Sequence, residues 1–184
     1  MKKFFTLLLS LTLIFLTEVC SAMNHREQLE NEMNLGGIFL EMSYQDVINR
    51  YGEPNRREKG QAQLIKYSIY YGDSVKINFD FKNQVLGIEV TADNGWHTPF
   101  GIHVGMSMEK IFGFYGEPNF IIKPNANQQW TGYVFKYEIP QVDMTRGSIT
   151  RAITVYCDSV DGNVKALHIW KEEYDPVPME YLNK

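Results

Sequence analysis

Between residues 37 and 55 the apolar positions recur at helical spacing, and from 65 to 90 they fall on every second residue. Tyr44, Val47, Ile48 and Tyr51 form one stripe. Ser43 stands before it as an N-cap, its hydroxyl able to accept from a free N–H of the first turn, and Asp46 makes a capping-box-like partner. Gly52 follows the last periodic residue, where a left-handed position closes a helix, and Pro54 stops it. The pattern predicts a helix of about two turns with one apolar face. Beyond it, Ile65, Tyr67, Ile69 and Tyr71 alternate with Lys66, Ser68 and Tyr70. Val75, Ile77, Phe79 and Phe81 then alternate with Lys76, Asn78 and Asp80. After a turn at Lys82-Asn83-Gln84, Leu86, Ile88 and Val90 alternate with Gly87 and Glu89. Such a period marks half-buried antiparallel strands.

The plan occurs twice. Residues 37–55 read GIFLEMSYQDVINRYGEPN and residues 101–119 read GIHVGMSMEKIFGFYGEPN, identical at nine of nineteen positions with an offset of 64. In the second copy Met108, Ile111, Phe112 and Tyr115 form the helical stripe behind Ser107, but Lys110 replaces Asp46, so the capping box is lost. Gly116 and Pro118 end the helix as before. Strands follow at Tyr133, Phe135, Tyr137 and Ile139, then at Ile149, Ile153, Val155 and Cys157, and after Asp161-Gly162-Asn163 at Leu167 and Ile169. By the last turn the offset has grown to 79, so the second copy carries longer loops, notably Pro140 to Gly147. This alignment sets Cys157 opposite Phe81 on the core side of its strand, a buried hydrophobe rather than a reactive thiol.

The expected fold is α+β: two tandem units, each a short helical segment packed on one face of a three- to four-stranded antiparallel sheet. The units are expected at 37–94 and 101–171, joined by a linker at 95–100. Residues 23–36 read as a flexible lead-in and 172–184 as an extended tail.

The first 22 residues change the setting. Lys2 and Lys3 precede an apolar run from Phe4 to Leu16, and Cys20-Ser21-Ala22 offers a small-residue cleavage site. That is the layout of a secretory signal, with cleavage expected after Ala22 and a periplasmic or secreted destination. Cys20 allows a second reading as the acylated residue of a lipoprotein, but Glu18 and Val19 occupy places where a lipobox needs small residues. Cleavage removes Lys2, Lys3 and Glu18, which leaves 16 basic and 21 acidic side chains and a net charge of −5. A mildly acidic chain of this kind without a basic cluster argues against nucleic acid or an anionic membrane surface as a partner, and no stable membrane insertion is expected once the signal is gone. Only Cys157 of the two cysteines would remain, so no intramolecular disulfide is expected.

The motif G-I-x-x-x-M-S-x-x-x-[VI]-x-x-x-Y-G-E-P-N followed by three strands resembles the outer-membrane assembly lipoprotein family BamE (SmpA/OmlA), and the duplicated plan resembles the β-lactamase inhibitor protein (BLIP-like) architecture. The resemblance covers roughly residues 37–170. It implies a helical segment on one face of an antiparallel sheet, used as a binding module in exported proteins.

Candidate chemistry is sparse. The four histidines are His25, in the N-terminal lead-in, His97, His103 and His168; His97 and His103 could approach each other, but no carboxylate or cysteine stands at zinc-ligand spacing beside them. No nucleophile elbow, phosphate loop or HExxH occurs. Asp158, Asp161 and Asn163 fit a tight turn better than a calcium loop. No catalytic residue, metal or cofactor is expected. Attention falls instead on the strand positions that alternation turns away from the helices, where Trp130, Tyr156, His168 and Trp170 cluster in the second copy. Aromatic clusters on a sheet face have the composition of a binding hot spot. The leading expectation is therefore a monomeric, non-enzymatic module that binds an envelope or secreted protein through these residues. Two alternatives stand beside it: a small-ligand receptor using a groove lined by Tyr70, Trp96, His97 and His103, and an accessory of outer-membrane assembly.

Overall fold

A computed structural model describes residues 26–60, 62–123, 132–143 and 147–173. Residues 26–31 form helix α1. There follow β1 (Asn34–Leu35), β2 (Ile38–Phe39), α2 (Tyr44–Tyr51), β3 (Arg56–Lys59), β4 (Tyr67–Tyr71), β5 (Val75–Phe79) and β6 (Val85–Val90). The second half adds α3 (Met108–Tyr115), β7 (Phe120–Ile122), β8 (Tyr133–Asp143), β9 (Gly147–Cys157) and β10 (Val164–Glu173).

The helix ends obey the local signals. In α2 the Ser43 hydroxyl accepts from the Asp46 N–H at 3.1 Å and donates to the Asp46 carboxylate at 2.6 Å. In α3 Ser107 stands at the N-cap position, as the sequence places it, but makes no side-chain cap bond. Gly52 and Gly116 close the two helices at φ 76° and 69°, their N–H groups donating to Ile48 and Phe112. The Asn of each GEPN motif then ties the helix exit to a strand. Asn55 accepts from the Gly72 N–H at 2.6 Å and Asn119 from the Glu138 N–H at 2.7 Å.

Corresponding residues make corresponding bonds elsewhere. Tyr44 N–H donates to the Asn83 carbonyl and Met108 N–H to that of Gly162; Val85 N–H donates to Met42 and Val164 N–H to Met106. Both halves also carry a bulge at the same place. Register skips Leu86 in β6 and Lys165 in β10.

The architecture is not the one the strand pattern suggested. Instead of two helix-and-sheet units, β3 to β10 form one eight-stranded antiparallel sheet in the order β3-β4-β5-β6-β10-β9-β8-β7, with β1 and β2 as a separate pair. Among the described residues strand outweighs helix by 44% to 17%, which makes the fold mostly β rather than α+β. The seam is β6 against β10, with Leu167 opposite Val90 and Ile169 opposite Ile88. Each half, folded alone, would leave that last strand as an open edge; pairing satisfies both edges at once. Alternation along a strand reports which face is buried, and says nothing about which strand will lie alongside.

All the buried apolar side chains of the inner face, including Ile69, Ile77, Ile88, Ile153 and Ile169, join one core cluster with Val47 of α2 and Ile111 of α3. Burying each stabilises the fold by roughly 1.5–3 kcal/mol. Residues 26–36, expected as a flexible lead-in, are packed into the same core through Leu29, Met33 and Leu35. Glu32 is wholly buried there, and its carboxylate accepts from the Phe100 N–H at 2.8 Å and the Tyr115 hydroxyl at 2.7 Å. Cys157 is buried as expected, but its neighbours across the strands are Tyr133 and Val164; Phe81 lies in a turn and is exposed.

Candidate functional site

The face of the sheet turned away from the helices is built by register. Reading across the strands, Arg56 pairs with Tyr70, Tyr70 with Lys76, Lys76 with Glu89, Glu89 with His168, His168 with Thr154, Thr154 with Lys136 and Lys136 with Phe120. One polar and aromatic row therefore crosses all eight strands. It exists only because β6 meets β10, so that residues from both halves stand side by side.

Local contacts fix the row. The Arg56 guanidinium lies 3.9 Å from the centroid of the Tyr70 ring and 3.3 Å from Glu58, whose carboxylate also accepts from the Tyr70 hydroxyl at 2.8 Å. Burial, together with that hydrogen bond, raises the Tyr70 phenol above its ordinary pKa. At the centre His168 Nε2 is 3.4 Å from Glu89 Oε1. The hydrogen bond from His168 holds the Glu89 carboxyl below its usual range, and the nearby Lys76 charge adds to the effect. Lys136 pairs with Glu138 at 2.8 Å.

The predicted aromatic cluster assembles in part. Tyr156 and His168 touch, with ring centroids 4.6 Å apart and planes at 55°. Trp170 lies across the seam on Gly87, so close that a Cβ there would sit 2.2 Å from a ring carbon. All three are half-buried rather than standing free in solvent, and Ser68, Asn78, Ala152 and Ala166 between the strands are buried. Trp130 lies outside the described residues.

The alternative groove does not assemble. Tyr70 is on the helix-free face, whereas Trp96 packs against the core on the other side, stacked on Tyr51 of α2 at 4.6 Å. Strand parity separates them. His97 and His103 do meet, opposite each other in an isolated bridge, and with Asp93, Gly95 and Gly101 they line a cavity of about 230 Å³. Each imidazole Nδ1 is engaged by a neighbouring backbone carbonyl, Thr98 at 2.7 Å and Val104 at 2.8 Å. Among the described residues no three His, Cys, Asp or Glu side chains converge to hold a metal ion.

No protein-family model, curated protein or solved structure matches the chain. Burial pushes the Cys157 thiol up to about 12, which makes it a poor nucleophile. Among the described residues no helix is long and apolar enough to cross a membrane.

Two features escaped the pattern. Glu41 joins the halves by accepting from Arg151 at 3.0 Å and from Lys171, which are 110 and 130 positions away. Nothing in a local window announces such a contact. The second is β7, whose Phe120, Ile121 and Ile122 are all exposed. Three consecutive large apolar residues after a helix stop were the available signal.

Proposed function

We propose that the chain is an exported, non-enzymatic binding module that docks a protein of the cell envelope or the extracellular space on the helix-free face of its sheet. The observation that carries this reading is the continuous row from Arg56 to Lys136, with Tyr156 and Trp170 beside it. Arg, Tyr and Trp are the side chains that dominate interface energetics, because each joins a large rigid surface to a polar handle. A pre-ordered network of them costs little further entropy when a partner arrives. Export follows from the signal-like residues 1–22, with cleavage after Ala22 and a periplasmic or secreted destination. The resemblance of the GEPN repeat to assembly lipoproteins and to the duplicated inhibitor architecture agrees with a binding role. A small-ligand receptor is less well supported: the cavity at His97 and His103 is about 230 Å³, below the roughly 300 Å³ where ligand pockets begin, and Tyr70 is remote from it.

The test compares capture from envelope extracts by the wild-type chain and by the double variant Lys76→Glu, Thr154→Arg. A stoichiometric protein retained by the first and lost by the second, with both folded by circular dichroism, supports the reading. Equal capture by both would place the contact elsewhere.

A further inference from the structure

The two ends of the sheet are counterparts that have diverged. At one end β3 is Arg56-Arg57-Glu58-Lys59, the charged composition that protects a free edge from pairing with another chain. At the other end β7 is Phe120-Ile121-Ile122, and these side chains are 51%, 53% and 42% exposed. No described strand pairs with the outer side of β7.

The difference extends to the ground beside each edge. Arg57 lies over Tyr67, its guanidinium 3.8 Å from the ring centroid, and reaches Tyr44 at 5.6 Å. Under that lid Tyr67 is only 5% exposed. The residue corresponding to Arg57 is Ile121, 64 positions on, and it is too short to cover anything. Tyr133, which corresponds to Tyr67, is 37% exposed. Beside it Phe112 stands edge-on to Phe135, ring centroids 5.3 Å apart, and is 38% exposed. Ile121 is the cross-strand partner of Phe135. Among the described residues, Ile121, Phe112 and Tyr133 thus surround Phe135 as an uncovered apolar patch directly beside an edge that no described strand pairs.

We propose that β7 accepts an extended, uncharged apolar segment of a partner polypeptide as a ninth strand, with alternate side chains of that segment seated on Ile121, Phe112 and Tyr133. Main-chain hydrogen bonds to a free edge supply affinity in this mode of recognition, and pockets for every second side chain supply selectivity. The size of the patch chooses between a single strand and a second copy of this chain. Side chains of this kind, half exposed, offer roughly 100 Å² each. The three on the helix side, Ile121, Phe112 and Tyr133, together give about 300 Å², short of the ~800 Å² per partner of a stable dimer. An extended peptide, held mainly through its backbone, needs no more. The inference stands apart from the docking face proposed above, because it uses the edge and the helix side of the sheet.

The experiment titrates the full exported chain with an octapeptide of three Thr-Val repeats between terminal lysines, and with a version carrying proline at its central positions. Binding is followed by fluorescence anisotropy and by amide hydrogen exchange. The expected result is slowed exchange at β7 with the Thr-Val peptide and none with the proline peptide. Ile121→Arg, which supplies the lid that Arg57 provides at the other end, is expected to weaken binding at least tenfold with an unchanged Tm. Phe112→Ala should weaken it without altering exchange at β3. No slowing at β7 with millimolar peptide, or equal binding by wild type and Ile121→Arg, overturns the proposal. So does concentration-dependent dimerisation that protects β7 in the absence of peptide.

Discussion

His168 faces Glu89 across the seam between β6 and β10, and each is the counterpart of the other in its own half. They are 79 positions apart, the spacing that also relates Asn83 to Gly162 and Val85 to Val164 through matching hydrogen bonds. The approximate two-fold axis of the sheet therefore passes through this pair. One of two equivalent positions became an acid and the other a base, so the point where like would have met like is an attractive contact.

Acid sensitivity follows from that contact. A carboxyl held below its ordinary pKa favours the folded chain above the unfolded value, and the contribution disappears as the pH falls through the folded value. Glu89→Gln is expected to cost about 1 kcal/mol at pH 6. The difference from wild type should shrink towards zero at pH 3. Urea unfolding at the two pH values measures this, and a difference that stays constant would show that the pair is not the cause.

Gly87 is required by its neighbour rather than by its backbone. Trp170 occupies the space a Cβ would take, so Gly87→Ala should destabilise by about 2 kcal/mol through overpacking. Combining it with Trp170→Leu should recover part of that loss, a coupling that a double-mutant cycle reads directly. Strict additivity would count against the contact.

Glu41 has φ 70°, while its counterpart Gly105 has φ 93°. A left-handed backbone with a Cβ costs on the order of 1 kcal/mol, and here it accompanies the contacts with Arg151 and Lys171. Both Glu41→Ala and Glu41→Gly abolish those contacts, but only glycine relieves the backbone. Thermal unfolding should therefore rank the glycine variant above the alanine variant by about 1 kcal/mol.

The two serine caps should respond unequally. Ser43→Ala removes a formed cap and should cost about 1 kcal/mol, whereas Ser107→Ala removes none and should be close to neutral. Equal losses in chemical denaturation would refute the difference.

Much of the local structure was legible beforehand. Both helices begin and end where Ser43, Gly52, Ser107 and Gly116 place them, and parity puts Tyr156, His168 and Trp170 on one face. Parity failed where the chain left regular strand. Phe81 follows the end of β5 and enters a turn, so the alternation that ran through Phe79 no longer governed it. The groove failed because strand parity turns Tyr70 to the helix-free face while Trp96 packs on the helix side, so the sheet lies between them.

Signals confined to a few neighbouring residues were thus set by the chain itself: caps, turn glycines, alternation and the duplicated segment. Each depends on hydrogen bonds and side-chain periods that act within one or two turns of backbone. The union of β6 with β10, the Glu89–His168 contact, the bridge from Glu41 to Arg151 and the placement of β3 and β7 at the two edges of one sheet were decided only in three dimensions. A strand edge offers the same donors and acceptors whatever its sequence, so its partner is chosen by how the whole core packs.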